Sequence, residues 1–446
     1  MNSTSPHILL VNPWIHDFAA YDFWAKPLGL LLVAAHLRRH GLHVSYIDCL
    51  DRFHPQSGSR NPAARHGRGP YLKTEISKPA GLSHIPRRFS RYGIPPEWFQ
   101  ADLAALSRPD LIMVTSLMTY WYPGVQETIA AIRAVFPDSP VILGGIYATL
   151  CHDHAVSFSG ADDVFTGSDL SRLPEIIAGH TGYSFDWEKD PNRPDTWPKP
   201  AFDLQHKIGY IPILTTIGCP FDCTYCAVHH LHPGFTRRPP AAVVAEIEFW
   251  HHRHDVDDFV FYDDALLVDF DNHARLIFEK VLQARLNVRF HLPNAVHIRE
   301  ISEDSARLMR RAGITTVRLG LETADFAHRE QLDRKVNETE YHHAVTGLKQ
   351  AGFSKKQLGA YLLAGLPGQS IESVERAIRV VRQSGITPIL AHYTPIPHTA
   401  MWEAARAASP YDIAADPVFT NNAIFPCRRE GFSWETYSHL KQLVIS

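Results

Sequence analysis

The nine residues Gly218–Cys226 read GCPFDCTYC and contain three of the six cysteines of this 446-residue chain. Their spacing is C-x3-C-x2-C, and they follow a predicted strand, Ile211–Ile217, within a turn-rich loop. Three thiolates that converge from one loop form a ligand set that suits a soft metal centre. The sequence therefore predicts a metal site with Cys219, Cys223 and Cys226 as ligands.

Two kinds of metal centre fit this loop. A structural zinc site needs a fourth ligand, and the remaining cysteines, Cys49, Cys151 and Cys427, are isolated and far away in the sequence. His229 and His230 are close enough in the sequence to supply that ligand. An iron–sulfur cube that is held by only three cysteines instead leaves one iron open for an external ligand. The loop by itself leaves both possibilities open.

Short apolar runs and helical patterns alternate after the loop, over residues 206–446. The predicted strands are Ile211–Ile217, Asp258–Tyr262, Val288–Leu292, Thr315–Leu321, Leu358–Ala364 and Thr387–Tyr393. Six strand–helix units in about 200 residues are too few for a closed eight-unit barrel, which typically needs about 250. The prediction is a partial (β/α)6 TIM-like barrel with a short C-terminal tail.

Residues 1–180 show a similar alternation, which predicts a doubly wound parallel sheet and thus an α/β chain. Its predicted strands are His7–Asn12, Leu42–Ile47, Asp110–Ser116, Pro140–Leu143 and Val164–Phe165. Residues 181–205 are interpreted as an interdomain linker. An irregular insertion over about 52–96 carries nine Lys or Arg residues between Arg52 and Arg91, against the single acid Glu75. We interpret it as a solvated surface excursion, with a grip on phosphate or substrate as the alternative.

Composition excludes several classes of protein. The net charge is −3, so bulk charge does not favour nucleic acid as a partner. No window approaches 18 consecutive apolar residues, so no membrane span is expected. The stretch Met1–His7 lacks a basic and then apolar run, and we expect no secretory signal. Few and clustered cysteines favour a reduced, cytoplasmic protein.

The spacing C-x3-C-x-aromatic-C after the first barrel strand resembles the signature of the radical S-adenosylmethionine (radical SAM) superfamily, and Tyr225 fills the aromatic position. The resemblance implies that the three cysteines bind a 4Fe-4S cluster whose open iron binds S-adenosylmethionine. One electron then cleaves the sulfonium and gives a 5′-deoxyadenosyl radical, which abstracts hydrogen from a substrate. It also implies an external one-electron reductant of the flavodoxin or ferredoxin type.

Further motifs at the predicted strand ends agree with this resemblance. The second strand ends in Tyr262-Asp263-Asp264, the fourth in Gly320-Leu321-Glu322-Thr323, and the fifth in Gly365-Leu366-Pro367-Gly368. The alternative for each carboxylate is a helix N-cap or a surface salt bridge. The resemblance implies cofactor contacts at Tyr225, Asp263, Asp264, Glu322, Gly365 and Gly368. His291 and Tyr393, near the ends of the third and sixth strands, are candidate catalytic residues that meet substrate or shuttle a proton.

The first half resembles the cobalamin-binding domain that precedes the radical SAM core in many members of the superfamily. The matching stretches include Lys26–Leu30, Pro109-Asp110 and Leu143-Gly144-Gly145. The loop Asn12–Phe18 lacks the Asp-x-His-x-x-Gly motif that supplies a histidine to cobalt. In its place, bulky residues over 118–122 are candidates to cover the lower face of the cobalt, and the alternative is an empty scaffold. The implied cobalamin contacts are Ser116, Thr119, Tyr120, Gly144, Gly145 and Tyr147.

Together the two resemblances imply a cobalamin-dependent radical SAM methyltransferase that acts on an unactivated carbon of a small-molecule or peptide substrate. A radical rearrangement or cyclisation enzyme, with or without bound cobalamin, is the first alternative. A non-catalytic iron–sulfur or corrinoid binding protein is the second. Methylthiolation of tRNA fits poorly, because those relatives need three further N-terminal cysteines, and only Cys49 and Cys151 precede Cys219.

Overall fold

The structure is a computed structural model that describes residues 5–427, apart from 328, 330 and 331, together with residues 433–445. The chain divides into two compact units. The N-terminal unit comprises Met1–Gly209 and Asp416–Phe419, and the C-terminal unit comprises Tyr210–Ala415 and Thr420–Ser446. Of the stretch Met1–His7, over which we expect no secretory signal, Met1–Thr4 lies outside the described residues.

The N-terminal unit is built on a five-stranded parallel sheet with the strand order β3-β1-β6-β7-β8. Apolar side chains cover both faces of this sheet, as expected for parallel strands joined by helices. The doubly wound sheet is thus confirmed. Its strands are β1 (His7–Asn12), β2 (Ile15–Asp17), β3 (His43–Asp48), β4 (Lys73–Glu75), β5 (Ser90–Tyr92), β6 (Leu111–Val114), β7 (Val141–Leu143) and β8 (Asp163–Val164). Its helices are α1 (Leu28–Arg39), α2 (Pro96–Ala104), α3 (Tyr122–Val135), α4 (Ile146–Leu150), α5 (His152–Phe158) and α6 (Leu173–Thr181).

The basic insertion has more structure than the expected irregular excursion. Strands β2, β5 and β4 form a small antiparallel sheet, which ties the insertion to the loop after β1. Apolar residues of the insertion, among them Ile85 and Phe89, are buried. Basic side chains stand over aromatic rings, with the Arg87 guanidinium 5.8 Å from the centre of the Phe18 ring. The many basic residues of the insertion make it look solvated in the sequence, although its apolar residues are buried.

Residues 181–205, which the sequence suggests as a linker, pack on the N-terminal unit. The indole of Trp187 meets the buried His36 ring of α1 edge-on, with 5.2 Å between the ring centres. The backbone N–H of Ala201 donates to the Leu31 carbonyl at 2.9 Å, and Phe202 is fully buried. The stretch therefore contributes to the core of this unit.

The C-terminal unit is an open barrel of six parallel strands in the order β16-β15-β14-β13-β12-β9. This confirms the predicted partial (β/α)6 barrel. Its strands are β9 (Ile211–Ile213), β10 (Thr216–Gly218), β11 (Phe235–Arg237), β12 (Asp258–Phe261), β13 (Arg289–Val296), β14 (Ile314–Glu322), β15 (Leu358–Ala364) and β16 (Thr387–His392). Its helices are α7 (Val228–Leu231), α8 (Pro240–His254), α9 (Ala274–Gln283), α10 (Glu303–Arg311), α11 (Glu338–Gln350), α12 (Ile371–Gln383), α13 (Trp402–Ala408) and α14 (Trp434–Ile445).

One predicted strand is split in two. The run Ile211–Ile217 forms β9 in the barrel and then β10, which pairs antiparallel with β11 in a separate hairpin. The cysteines therefore follow this hairpin strand and not the barrel strand itself. In the described ranges, no helix combines the length and the apolar character that a membrane crossing requires.

Candidate metal and cofactor site

The cysteine loop begins at a position that requires glycine. Gly218 has φ +79°, and a Cβ added there would lie 2.0 Å from the carbonyl oxygen of Gly234. This close approach lets β10 pair with β11 immediately before Cys219. Within the loop, the backbone N–H of Cys226 donates to the Cys223 carbonyl at 3.0 Å. The hairpin therefore fixes where the loop starts, and a local turn shapes its second half.

The three thiols of the loop are free and mostly buried. Burial raises the pKa of all three, and that of Cys223 to about 11. Thiols in such a protonated, apolar setting need a metal ion or a neighbouring cation to become thiolates. The three cysteines are close in the sequence, and in the structure they lie on one largely buried loop.

The spacing of the sulfur atoms distinguishes the two candidate centres. In the described part of the chain, the three sulfurs do not all lie within 4.8 Å of one another. Three thiolates on one tetrahedral zinc, each at about 2.3 Å from the metal, would lie about 3.8 Å apart. Moreover, His229, a candidate fourth ligand, has its Nε2 at 2.9 Å from the Phe221 carbonyl oxygen. The donor set therefore fits a cluster of several metal ions better than a single zinc.

Asp263 uses only one of its two carboxylate oxygens to hold Thr215 and Thr216. Its Oδ1 accepts hydrogen bonds from the backbone N–H and the hydroxyl of both Thr215 and Thr216, at 2.5–2.9 Å. Its Oδ2 is buried and has no hydrogen-bond partner among the described residues. Burial raises the pKa of this carboxyl, although the threonine hydrogen bonds oppose the shift. The neighbouring Asp264 is exposed.

Glu322 ends β14 in a strained and buried position. Its φ is +58°, which is rare for a residue with a side chain, and it is 6% exposed. Burial raises the pKa of Glu322 to about 7, although Lys335 opposes this shift. The charge of Glu322 also raises the pKa of the Tyr225 hydroxyl, after the larger effect of burial. The structure therefore places Glu322 close enough to Tyr225 for its charge to act on the hydroxyl.

Two residues beside the cysteines were not identified from the sequence. Lys335, between β14 and α11, has its ammonium 3.4 Å from the Tyr225 hydroxyl, and its charge opposes the rise that burial causes in the pKa of Cys223. His297, directly after β13, has its Nε2 at 3.9 Å from the sulfur of Cys219. No motif marks Lys335, and His297 is one of 27 histidines. The predicted third strand ends at Leu292, whereas β13 extends to Val296, so only the structure places His297 directly after a barrel strand.

The structure does not bring His291 to the cysteines. His291 is fully buried near the amino end of β13, and its Nε2 lies 2.9 Å from Oδ1 of Asp258, the first residue of β12. Its Nδ1 lies 3.0 Å from the Thr316 hydroxyl. The cysteine loop lies beyond the carboxyl ends of the strands, so His291 belongs to a polar network at the other end of the barrel. Its candidacy as a catalytic residue therefore lacks support from its position.

The other candidates lie at the carboxyl ends of the barrel strands. Tyr393 follows β16 and is buried, and none of the residues that the structure describes hydrogen-bonds its hydroxyl. Gly365 and Gly368 adopt φ values of +92° and +74° in the turn after β15. The amide side chain of Gln369 holds this turn by accepting from the Gly365 N–H and donating to the Leu363 carbonyl. These positions are on the same edge of the barrel as the cysteine loop.

In the N-terminal unit, the candidates divide into accessible and buried groups. The Ser116 hydroxyl donates to the Gly144 carbonyl, and a Cβ on Gly145 would clash with the Ser116 backbone. Gly144 itself is open, because the nearest atom to an added Cβ is 3.9 Å away. Leu117 and Met118, which follow Ser116 in the chain, are exposed. These backbone and apolar groups form an accessible edge beyond β6 and β7.

The aromatic candidates of this unit are buried. Tyr147 is fully buried in the core, and its hydroxyl lies 2.7 Å from Nδ1 of His154. Thr119 and Tyr120 are buried as well. Of the bulky stretch 118–122, Met118 is therefore the residue most accessible to a ligand.

The loop after β1 has its histidine engaged elsewhere. Nε2 of His16 lies 2.6 Å from Oε2 of Glu127, and Arg91 contacts the same carboxylate at 2.5 Å. Although burial opposes the shift, these two neighbours lower the pKa of Glu127. His16 also pairs with β5 through its backbone. The only histidine of the loop Asn12–Phe18 is therefore engaged by Glu127.

Comparison with known proteins finds a family match within the barrel. Residues 213–381, from β9 to within α12, match the Radical SAM superfamily. An uncharacterised methyltransferase of Pyrococcus horikoshii is 24% identical over 345 residues, which cover 69% of this chain and 72% of that protein. The anaerobic magnesium-protoporphyrin IX monomethyl ester cyclase of Rubrivivax gelatinosus is 23% identical over 332 residues, and the chain spans 58% of its length.

A solved structure shares the fold over almost the whole chain. The radical S-adenosylmethionine methyltransferase TsrM of Kitasatospora setae, solved with cobalamin and a [4Fe-4S] cluster bound, superposes with a TM-score of 0.65. The match covers 92% of this chain and 76% of TsrM at 16% sequence identity. The similarity therefore extends beyond the barrel to the N-terminal unit.

Proposed function

We propose that the chain is a radical SAM enzyme with an N-terminal cobalamin-binding-like domain, and that it acts as a cobalamin-dependent methyltransferase on an unactivated carbon. The observation that carries the proposal is the buried loop of three free thiols at the carboxyl edge of the six-stranded barrel. Active sites of barrel enzymes lie at this edge. The methyltransferase names of the Pyrococcus relative and of TsrM support the reaction type.

The residues of the barrel fit the two cofactors that the family uses there. When bound, the 4Fe-4S cluster supplies an electron that cleaves S-adenosylmethionine to a 5′-deoxyadenosyl radical, and cobalamin supplies the methyl group. Cys219, Cys223 and Cys226 would hold the cluster. The buried and unpartnered Oδ2 of Asp263 and the buried carboxyl of Glu322 are the polar atoms available to hold S-adenosylmethionine. Burying such atoms without a partner is costly, which supports a ligand at this place.

The accessible edge of the N-terminal unit fits a large, flat cofactor. Gly144 has no side chain to block an approach, and Leu117 and Met118 offer exposed apolar surface beside it. Because His16 is paired with Glu127, no histidine of the loop after β1 would serve as a cobalt ligand. In this proposal Ser116, Gly144 and Gly145 contact cobalamin, and the buried Tyr147 supports their position from within the core.

The proposal requires two partners. A small-molecule or peptide substrate would bind at the mouth of the barrel, where Tyr393 offers its unpartnered hydroxyl. An external one-electron reductant of the flavodoxin or ferredoxin type would supply the electron. A reducing, cytoplasmic setting is part of the proposal, since thiolate-bound iron–sulfur clusters need reduced cysteines.

A radical cyclisation is the second candidate, because the Rubrivivax relative is a cyclase. The two reactions differ in their use of S-adenosylmethionine. Methyl transfer consumes a second S-adenosylmethionine to restore the methyl group on cobalamin, and it releases S-adenosylhomocysteine. Cyclisation releases none. Equal amounts of S-adenosylhomocysteine and 5′-deoxyadenosine would therefore favour methyl transfer.

The experiment that tests the proposal measures 5′-deoxyadenosine release. The anaerobically reconstituted protein is incubated with S-adenosylmethionine, hydroxocobalamin and dithionite. We expect release from the wild type and from Cys151→Ser, a control for a cysteine outside the loop, and none from Cys223→Ala. Release from Cys223→Ala would overturn the proposal, and absence from the iron-loaded wild type would indicate a non-catalytic binding protein.

A further inference from the structure

The segment between β14 and α11, residues 323–337, docks on the cysteine loop. The carbonyl of Leu332 accepts hydrogen bonds from the backbone N–H and the hydroxyl of Thr224, both at 3.1 Å. Thr224 lies between Cys223 and Tyr225. The described residues of this segment therefore hold the centre of the cysteine loop from outside its own hairpin.

A buried ion pair fixes the shape of this segment. A guanidinium nitrogen of Arg329 lies 2.9 Å from Oδ2 of Asp333, and both side chains are almost fully buried. The same guanidinium donates to the carbonyls of Leu321 and Thr323, at the end of β14. The Lys335 backbone N–H donates to the other carboxylate oxygen of Asp333. Lys335 is thus positioned by a network that is anchored in the barrel.

The side chain of Lys335 meets the cysteine loop twice. Its ammonium lies 3.4 Å from the hydroxyl of Tyr225, two residues after Cys223 in the loop, and its charge lowers the pKa of the Cys223 thiol against the larger effect of burial. The ammonium is 5.7 Å from the centre of the Tyr225 ring. Since Arg329 neutralises Asp333, the charge of Lys335 is left to act on the cysteines and Glu322.

His297 contacts the loop from the carboxyl end of the neighbouring strand, β13. Its Nε2 lies 3.9 Å from the sulfur of Cys219, and its ring stacks on Phe221 with 4.4 Å between the centres. His297 is 4% exposed, and within the described part of the chain its Nδ1 has no hydrogen-bond partner. A metal-bound thiolate can only accept, so this contact selects the tautomer with the proton on Nε2.

We propose that Lys335 and His297 are positioning residues that raise the reduction potential of the iron–sulfur cluster by acting on the sulfurs of Cys223 and Cys219. The inference rests on the proposed function, since it needs the cluster. One-electron reduction takes the cluster from 2+ to 1+, so that with three thiolates the total charge goes from −1 to −2. The electron comes from the external reductant, and no proton is transferred.

Charge and hydrogen bonding act in the same direction here. Added negative charge is stabilised by a nearby ammonium and by N–H donors to the sulfurs, and both raise the potential of such clusters. Lys335 carries a full charge, whereas His297 contributes only a neutral N–H donor. Loss of the Lys335 charge should therefore change the potential more than loss of the His297 donor.

The test is a potentiometric titration of the reconstituted full chain, followed by electron paramagnetic resonance of the reduced cluster. We expect Lys335→Met to shift the midpoint to a more negative potential, His297→Phe to shift it less in the same direction, and Lys335→Arg to retain the wild-type value. The phenylalanine keeps the stacking on Phe221. Lys280→Met, an exposed lysine on α9, is the control and should leave the midpoint unchanged.

The possible results separate this inference from the proposed function. Unchanged midpoints in Lys335→Met and His297→Phe, each with a full iron content, would overturn the inference and leave the proposed function intact. If Lys335→Met fails to hold iron, Lys335→Gln takes its place, since it keeps a donor without the charge. A wild type that binds no iron would contradict the proposed function, and the inference would fall with it.

Discussion

Oδ1 of Asp263 accepts hydrogen bonds from both the backbone N–H and the hydroxyl of Thr215, at 2.9 and 2.6 Å. Asp263 follows β12, and Thr215 lies between β9 and β10. This contact fixes the point at which the chain leaves the barrel and enters the hairpin that leads to the cysteines. The first barrel strand is short for this reason.

Replacing Asp263 should weaken both the fold and the metal site. Asp263→Ala leaves the buried donors of Thr215 and Thr216 without an acceptor, and we expect the free energy of unfolding to fall by about 3 kcal/mol. The measurement is urea unfolding together with iron content after reconstitution. Asp138→Ala, which changes an exposed aspartate that follows α3, is the control and should change stability by less than about 0.5 kcal/mol. Equal stabilities of the two variants would contradict this role of Asp263.

Gly218 is predicted to be essential for the cysteine loop. Gly218→Ala combines a positive φ with a contact of 2.0 Å to the Gly234 carbonyl oxygen, so β10 and β11 cannot keep their pairing. Gly234→Ala is the matched control, because it has a similar φ of +89° but no atom within 4 Å of the added Cβ. We expect loss of bound iron in Gly218→Ala and only about 1 kcal/mol of destabilisation in Gly234→Ala. Iron retained in both variants would show that the close approach is not required.

The sequence predicts the regular parts of this fold well. Helix α12 covers Ile371–Gln383, and the local sequence predicts this range, because Ser370 caps its first turn and apolar residues recur on one face. Strand β15 likewise matches Leu358–Ala364, because it is an apolar run bounded by a turn. Local signals of this kind do not depend on what the element packs against.

The sequence fails where distant residues decide the outcome. The run Ile211–Ile217 reads as one strand because the hydrogen bonds that break it come from Asp263, far along the chain. In the site, the cysteines and Glu322 follow from motifs and strand ends. Lys335 reaches Cys223 only through the tertiary structure of its segment, and no local pattern indicates it.

Glu322 should make stability depend on pH. Its pKa is raised from an ordinary value of 4.5 to about 7, so the folded protein holds a proton that the unfolded chain releases. Stability is therefore expected to fall as the pH rises from about 4.5 to 7, by up to about 3 kcal/mol. Urea unfolding of the iron-free protein across this range measures the slope. Glu322→Gln should lack this component, whereas the exposed Glu403→Gln should retain it; identical slopes in both would contradict the assignment.

Cobalamin binding should not depend on His16. Because His16 is paired with Glu127, His16→Gln should retain the affinity for hydroxocobalamin and its visible spectrum within about twofold. Gly144→Leu should instead abolish binding, since its side chain would fill the open edge beside Leu117 and Met118. Equilibrium titration by absorbance measures both. A strong loss of affinity in His16→Gln would show that this histidine is a cobalt ligand after all.

The central claim is that one chain holds an iron–sulfur cluster and a cobalamin. The most direct test is the iron and cobalt content per chain, measured by mass spectrometry on protein reconstituted anaerobically with hydroxocobalamin. The account predicts about four iron atoms and one cobalt. Four iron atoms without cobalt would contradict the cobalamin-dependent methyltransferase, and absence of iron would contradict the radical SAM site itself.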